Sequence, residues 1–115
     1  MIINKYFTPK KSIKELVNTM NKSCPKKYKD GIILDSISII NNDFNYYFTL
    51  IYEDKEKWNN SEFEIYMKPI LINLYQKSNE KKILDDYKFN LVYNYRDGFF
   101  QPISKIKITP IEYQK

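Results

Sequence analysis

Carboxylates come in clusters along this chain: Glu53, Asp54 and Glu56; Glu62 and Glu64; Asp85 and Asp86. Two such groups can cleave a glycosidic bond when one is kept protonated by an apolar pocket and the other stays ionised across a cleft. Each cluster here sits among lysines and asparagines, at loop or helix-end positions, where carboxylates stay solvated and ionised. No stretch alternates acids around a central glycine as a calcium loop does. Histidine is absent and cysteine occurs once, at Cys24. Those counts remove the imidazole base, the Cys/His zinc site and the Ser-His-Asp and Cys-His nucleophiles. Cys24 is open to three roles: a buried small apolar residue, a free thiol or an intermolecular bridge. With no histidine to ionise it, the buried role is the default. Gly31 and Gly98, the two glycines, cannot build a phosphate cradle, and each follows an aspartate as in a tight turn. The chain reads as a non-enzyme, with no cofactor and no metal.

The formal charge is +5, from 19 basic and 14 acidic residues, and Arg96 is the one arginine among the basic residues. A basic balance points toward nucleic acid or an anionic membrane. Nucleic-acid readers, however, favour arginine, whose planar fork grips phosphate and guanine bidentately. Alanine is missing while Ile, Asn, Lys and Tyr abound, the profile of an AT-rich genome. The pairs Lys10-Lys11, Lys26-Lys27 and Lys81-Lys82 read as solvated faces, and Lys105 with Lys107 as a guard on an exposed strand edge. Aromatic residues make up 17% of the chain, so each stripe of them must belong either to core or to a contact surface. Exposed tyrosine among lysine and asparagine suits a protein partner, because the ring is rigid and amphipathic. Tyr47, Trp58, Phe99 and Phe100 are the candidate partner-binding anchors, with Tyr6-Phe7 as a further apolar contact.

These residues need a scaffold. A length of 115 residues with 43% hydrophobic content fits a single globular domain spanning 1–115. Thr8 can cap a helix that Pro9 opens, and Ile13, Leu16, Val17 and Met20 make one apolar stripe, predicting a helix over 9–22. A basic loop over 25–30 closes at Gly31. Strands follow over 32–40 and 44–53, joined at Asn41-Asn42-Asp43 as a hairpin. Phe44, Tyr46, Phe48, Leu50 and Tyr52 share one face of the second strand. The next segment alternates at Phe63, Ile65 and Met67, yet Phe63, Met67, Ile70 and Leu74 also stand at helical spacing; helix is favoured, capped at Asn60 or Ser61 and kinked at Pro69. A helical turn covers 80–84. Strands over 87–95 and 103–109 flank a turn at Asp97-Gly98, and Pro110 ends the last. The order is α-β-β-α-β-β: a two-layer α+β sandwich, four antiparallel strands covered on one face by two helices. Tyr47, Ile51, Val92 and Tyr52 then decorate the open face.

Three stretches stand out: Asn21-Lys22-Ser23-Cys24-Pro25 with Asp30-Gly31-Ile32-Ile33-Leu34-Asp35-Ser36-Ile37; Met67-Lys68-Pro69 with Lys82-Ile83-Leu84; and Tyr93-Asn94-Tyr95-Arg96-Asp97-Gly98. In these the chain resembles a group of small bacterial α+β proteins, mostly exported or lipoprotein-type and of unassigned function. The resemblance implies the same element order and an envelope accessory role. It departs at Tyr75, where that group often has cysteine, and in lacking an export signal at Met1. No segment is apolar enough for a membrane helix. The compartment is therefore cytoplasmic if Met1 is the native start, and periplasmic or envelope if a signal was removed. Taken together, the chain reads as a bacterial binding domain that works by protein contact, as immunity or inhibitor proteins do. The alternatives are a single-stranded nucleic-acid module that stacks bases on an aromatic sheet face, and the envelope accessory. A homodimer through an open strand edge is a further form of partnership.

Overall fold

The computed structural model describes residues 9–114. Its elements run α1 (Pro9–Lys22), β1 (Lys26–Lys29), β2 (Ile32–Ile40), β3 (Asp43–Leu50), α2 (Asn60–Gln76), α3 (Lys81–Tyr87), β4 (Asn90–Asp97), β5 (Pro102–Ile108) and α4 (Pro110–Tyr113). The α+β class and the rough element order agree with the sequence pattern. The sheet, however, has five strands in the order β1-β2-β3-β4-β5 rather than four. It is mixed rather than antiparallel. The pairs β1–β2, β2–β3 and β4–β5 are antiparallel, while β3 and β4 run parallel with Asp43 opposite Asn90 and Leu50 opposite Asp97. A parallel pair needs a long crossover, and here the chain from Ile51 to Phe89 supplies it, carrying α2 and α3. The cap expected at Thr8 and the Tyr6-Phe7 contact lie outside the described residues.

Burial explains the layers. In β3 the residues Phe44, Tyr46, Phe48 and Leu50 are buried against the helices; Leu91, Tyr93 and Tyr95 of β4 and Ile106 and Ile108 of β5 extend the same face. Tyr46 and Tyr93 stack with centroids 4.7 Å apart, and Phe48 stacks on Tyr95 at 5.2 Å. Such pairs add roughly 0.5–1.5 kcal/mol beyond the area they bury. β2 joins this face through Leu34 and Ile37, with a bulge between Leu34 and Ser36 that gives Asp35 its own position. The alternation ends at Leu50. Tyr52 lies in the turn beyond, exposed, with its ring so close to Gly31 (φ 79°) that a Cβ there would stand 2.6 Å from it.

Several local corrections follow the same physics. β1, expected as a basic loop, is the Lys-Lys-Tyr-Lys edge strand, exposed along its whole length and held by pairing with β2. The cap of α2 is Asn59, whose side-chain oxygen accepts from the amides of Ser61 at 2.8 Å and Glu62 at 3.2 Å. Pro69 is carried inside α2 at an exposed position, where the carbonyl it leaves unpaired can be solvated. The helical turn at 80–84 extends to Tyr87, and Lys88 in the left-handed region closes it (φ 56°). β4 therefore starts at Asn90, not Tyr87. Past Pro110 the chain forms α4, tied by the reciprocal cap of Thr109 and Glu112 and by a Lys68–Glu112 ion pair at 2.6 Å to α2. Tyr113 is fully buried and donates to the Phe89 carbonyl at 2.7 Å.

Candidate functional site

The helices do not close over the sheet. Between α2 on one side and β1 with the end of α1 on the other lies a groove of about 700 Å³. Its floor is the stacked row Tyr46, Phe48, Tyr93 and Tyr95, and Tyr28 of β1 forms one wall with its ring edge on Phe48 at 5.9 Å. The other wall is α2. The buried row of that helix is Phe63, Leu71 and Tyr75, with Met67 half-buried between them. These residues stand four apart, so the expected stripe is rotated: Ile70 and Leu74 leave the core, 38% and 43% exposed, and line the groove. Tyr66 joins them, also exposed.

The buried tyrosines divide by partner. Tyr75 donates to Asp85 at 2.7 Å and Tyr113 to a carbonyl. Among the described residues no partner is found for the hydroxyls of Tyr46, Tyr93 and Tyr95. Burial, then the neighbouring phenols and Glu80, pushes the Tyr46 and Tyr93 hydroxyls above the ordinary phenol value. They remain neutral, able to donate and accept along an otherwise apolar floor. Cys24 is half-buried at the end of α1, and its thiol faces the Met20 carbonyl at 3.3 Å. Burial raises the pKa of that thiol, with Asp35 adding to the shift, so it is not an activated nucleophile.

The four residues singled out as anchors do not converge. Trp58 stands at one end of the groove, half-buried, edge-on to Phe63 at 4.9 Å, with its indole N–H donating to Glu53 at 2.7 Å. Tyr47 and Phe100 lie on the opposite face of the sheet, where they line a shallow pocket of about 780 Å³. Phe99, on the same turn as Phe100, is exposed and borders neither hollow. The open face is not the aromatic platform expected, because the other β3 and β4 rings point to the helices. Ile51 and Tyr52 belong to the turn after β3, and Val92 is fully buried. Lys107, opposite Val92 in β5, reaches across β4 to Asp43 at 3.7 Å, laying its hydrocarbon stem over that position.

Sequence reasoning missed the groove residues Tyr28, Tyr66, Ile70 and Leu74 as a contact surface. A signal existed: α2 carries more apolar residues than one stripe can bury. Among the described residues no helix is long and apolar enough to cross a membrane.

The sequence model of a domain of unknown function (DUF8479) matches residues 8–100. No curated protein matches the chain. Two solved structures share its fold at a TM-score of 0.68 and 12% identity. One is a candidate secreted protein of Pseudomonas aeruginosa, with 88% of each chain covered. The other is the pilotin of the Vibrio vulnificus type 2 secretion system, with 93% of each chain covered. Neither description is that of an enzyme.

Proposed function

This chain belongs to the DUF8479 family, and from that premise we propose that it is a single α+β domain acting by protein contact, an envelope accessory whose groove takes the apolar face of a partner's amphipathic helix. The observation that carries this reading is the groove itself: an aromatic floor flanked by Ile70, Leu74, Tyr66 and Tyr28, apolar side chains left in water. Grooves of this kind receive a helix through side chains at i, i+3, i+4 and i+7. The tyrosine hydroxyls of the floor, without a partner among the described residues, suit the same ligand, since they can meet a polar side chain at the margin of the helix. The groove's charged margin sets Asp30, Glu53 and Glu80 against Lys26 and Lys29, so a partner helix with charges of both signs along its edges fits it. The pilotin and the secreted protein support an envelope setting by shared fold alone. The reading stops at binding and does not extend to inhibition of the partner.

The test is capture of envelope proteins on the immobilised full chain, with the bound species sequenced and its helix synthesised. Leu74→Glu and Ile70→Glu put charge on one wall at exposed positions. Each change gives up partly buried apolar area and should cost about 1–2 kcal/mol of stability, leaving the chain folded, while affinity for the captured helix falls at least tenfold by calorimetry. Undiminished binding of that helix to both variants would sink the groove as the docking surface, and a partner seated by a second copy of this chain would replace the reading with self-association.

A further inference from the structure

The groove does not touch the chain's one arginine. Arg96 lies on the opposite face, and more is built around it than an exposed basic residue needs. Its Nε donates to the Thr49 hydroxyl at 2.8 Å, Thr49 donates to Asp35 at 2.7 Å, and the Arg96 Nη2 stands 3.5 Å from the same Asp35 carboxylate. The bulge in β2 is what gives Asp35 this position. Below the guanidinium plane lies the Phe100 ring, its centroid 4.3 Å from Cζ. Phe100 holds a backbone conformation in the left-handed region, φ 65°, unusual for a bulky residue. Asp97, almost wholly buried, fixes that turn by accepting from the amides of Lys55, Phe99 and Gln101 at 2.8–2.9 Å. The arginine is thus oriented from three sides before any ligand arrives, and the ordering cost of a long side chain is already met.

One arm of the fork is left over. Among the described residues Nη1 has no partner, and neither do the ammonium groups of Lys55 and Lys105, which line the same pocket with Asn94 and Tyr47. Asp35 offsets one positive charge, leaving an excess of two on a concave surface. We propose that this pocket is an oxyanion site for the carboxylates of an acidic segment on a protein partner, with Arg96 as the oriented fork, Lys55 and Lys105 as flanking charges and Tyr47 and Phe100 as apolar margins. A nucleic-acid strand is disfavoured as the occupant. Its phosphates need a run of cations, and this face alternates them with Asp35 and Asp43. The site is independent of the groove reading, since Arg96, Lys55 and Lys105 border no part of the groove and only Phe48 and Tyr95 of the sheet between them line both hollows.

The experiment titrates the isotope-labelled full chain with hexaglutamate, with hexaglutamine and with inorganic phosphate, following amide and arginine Nε–H resonances. Expected are saturable shifts at Arg96, Thr49, Asn94 and Phe100 with hexaglutamate alone. Arg96→Lys keeps the charge but loses the fork, and should weaken binding about tenfold. Lys105→Gln, an exposed change that spares the network, should weaken it several-fold, and Lys82→Gln on α3 should not alter it. Equal shifts with hexaglutamine, saturation by phosphate alone, shifts that map elsewhere, or unchanged affinity in both Arg96→Lys and Lys105→Gln would each overturn the proposal. Leu74→Glu, which tests the groove, leaves this titration unaffected whichever way the groove experiment falls.

Discussion

Asp97 shows how one buried acid organises a surface. Burial alone would raise its pKa, but the Gln101, Lys55 and Phe99 amides outweigh that and hold the carboxyl below its ordinary value. Asp85 and Glu112 are likewise held low: burial opposes, while Lys81 and Tyr75 stabilise the first carboxylate and Lys68 and Thr109 the second. A carboxyl whose folded value lies below its unfolded one binds protons more weakly in the native state. Its stabilisation is complete above the unfolded value, roughly 4, and is lost as pH falls from there through the folded value. Tm measured by calorimetry should therefore hold between about pH 7 and 5 and drop below about 4. Asp97→Asn should lower Tm at neutral pH and make the acid limb shallower. The core gives a second expectation at this scale. Phe44 is fully buried between Tyr46 and Phe89, so Phe44→Ala should cost about 3–5 kcal/mol in urea unfolding. Phe44 as core was legible from alternation alone. The role of Asp97 was not, because a turn aspartate beside glycine looks the same whether its carboxylate faces water or three amides.

At the scale of elements, the strands with a solvated face or a clear period were readable, and those held only by their neighbours were not. β1 has no buried position at all, so nothing in Lys26–Lys29 distinguishes it from a loop until β2 offers its edge. The stripe of α2 was identified but turned on its axis, since Phe63, Met67 and the surplus apolar positions fit more than one face. The parallel pairing of β3 with β4 was invisible for another reason: two hairpins joined by helices satisfy the same pattern whichever way the second is inserted. The two glycines, both recognised as turn residues, make opposite demands. Gly31 needs its positive φ, but a Cβ there meets only side-chain ring atoms of the exposed Tyr52. Gly98 would place a Cβ 2.5 Å from the Ile51 backbone carbonyl. Gly31→Ala should cost about 1–2 kcal/mol from the left-handed conformation, and Gly98→Ala more, because main chain must move. Comparing denaturation midpoints of the two variants tests that order.

Across the whole molecule, the two faces of one sheet are specialised apart. The helix side keeps stacked rings and an apolar channel, and the other side keeps a hydrogen-bonded set of Thr49, Asn45, Asn94 and Arg96. Of the four anchors proposed from sequence, Trp58 fell on the helix side, Tyr47 and Phe100 on the other and Phe99 beside neither hollow, because exposure of an aromatic residue can be guessed from composition, whereas which surface it joins depends on strand direction. That same direction has a kinetic meaning. Asp43 meets Asn90, partners far apart in the chain, so the central pair cannot zip from a turn. The two hairpins can close early and locally, yet they remain separate pieces until the intervening helices pull them together. During that interval the inner edges of β3 and β4 are bare and rich in tyrosine and phenylalanine, and crowded nascent chains would find each other there first.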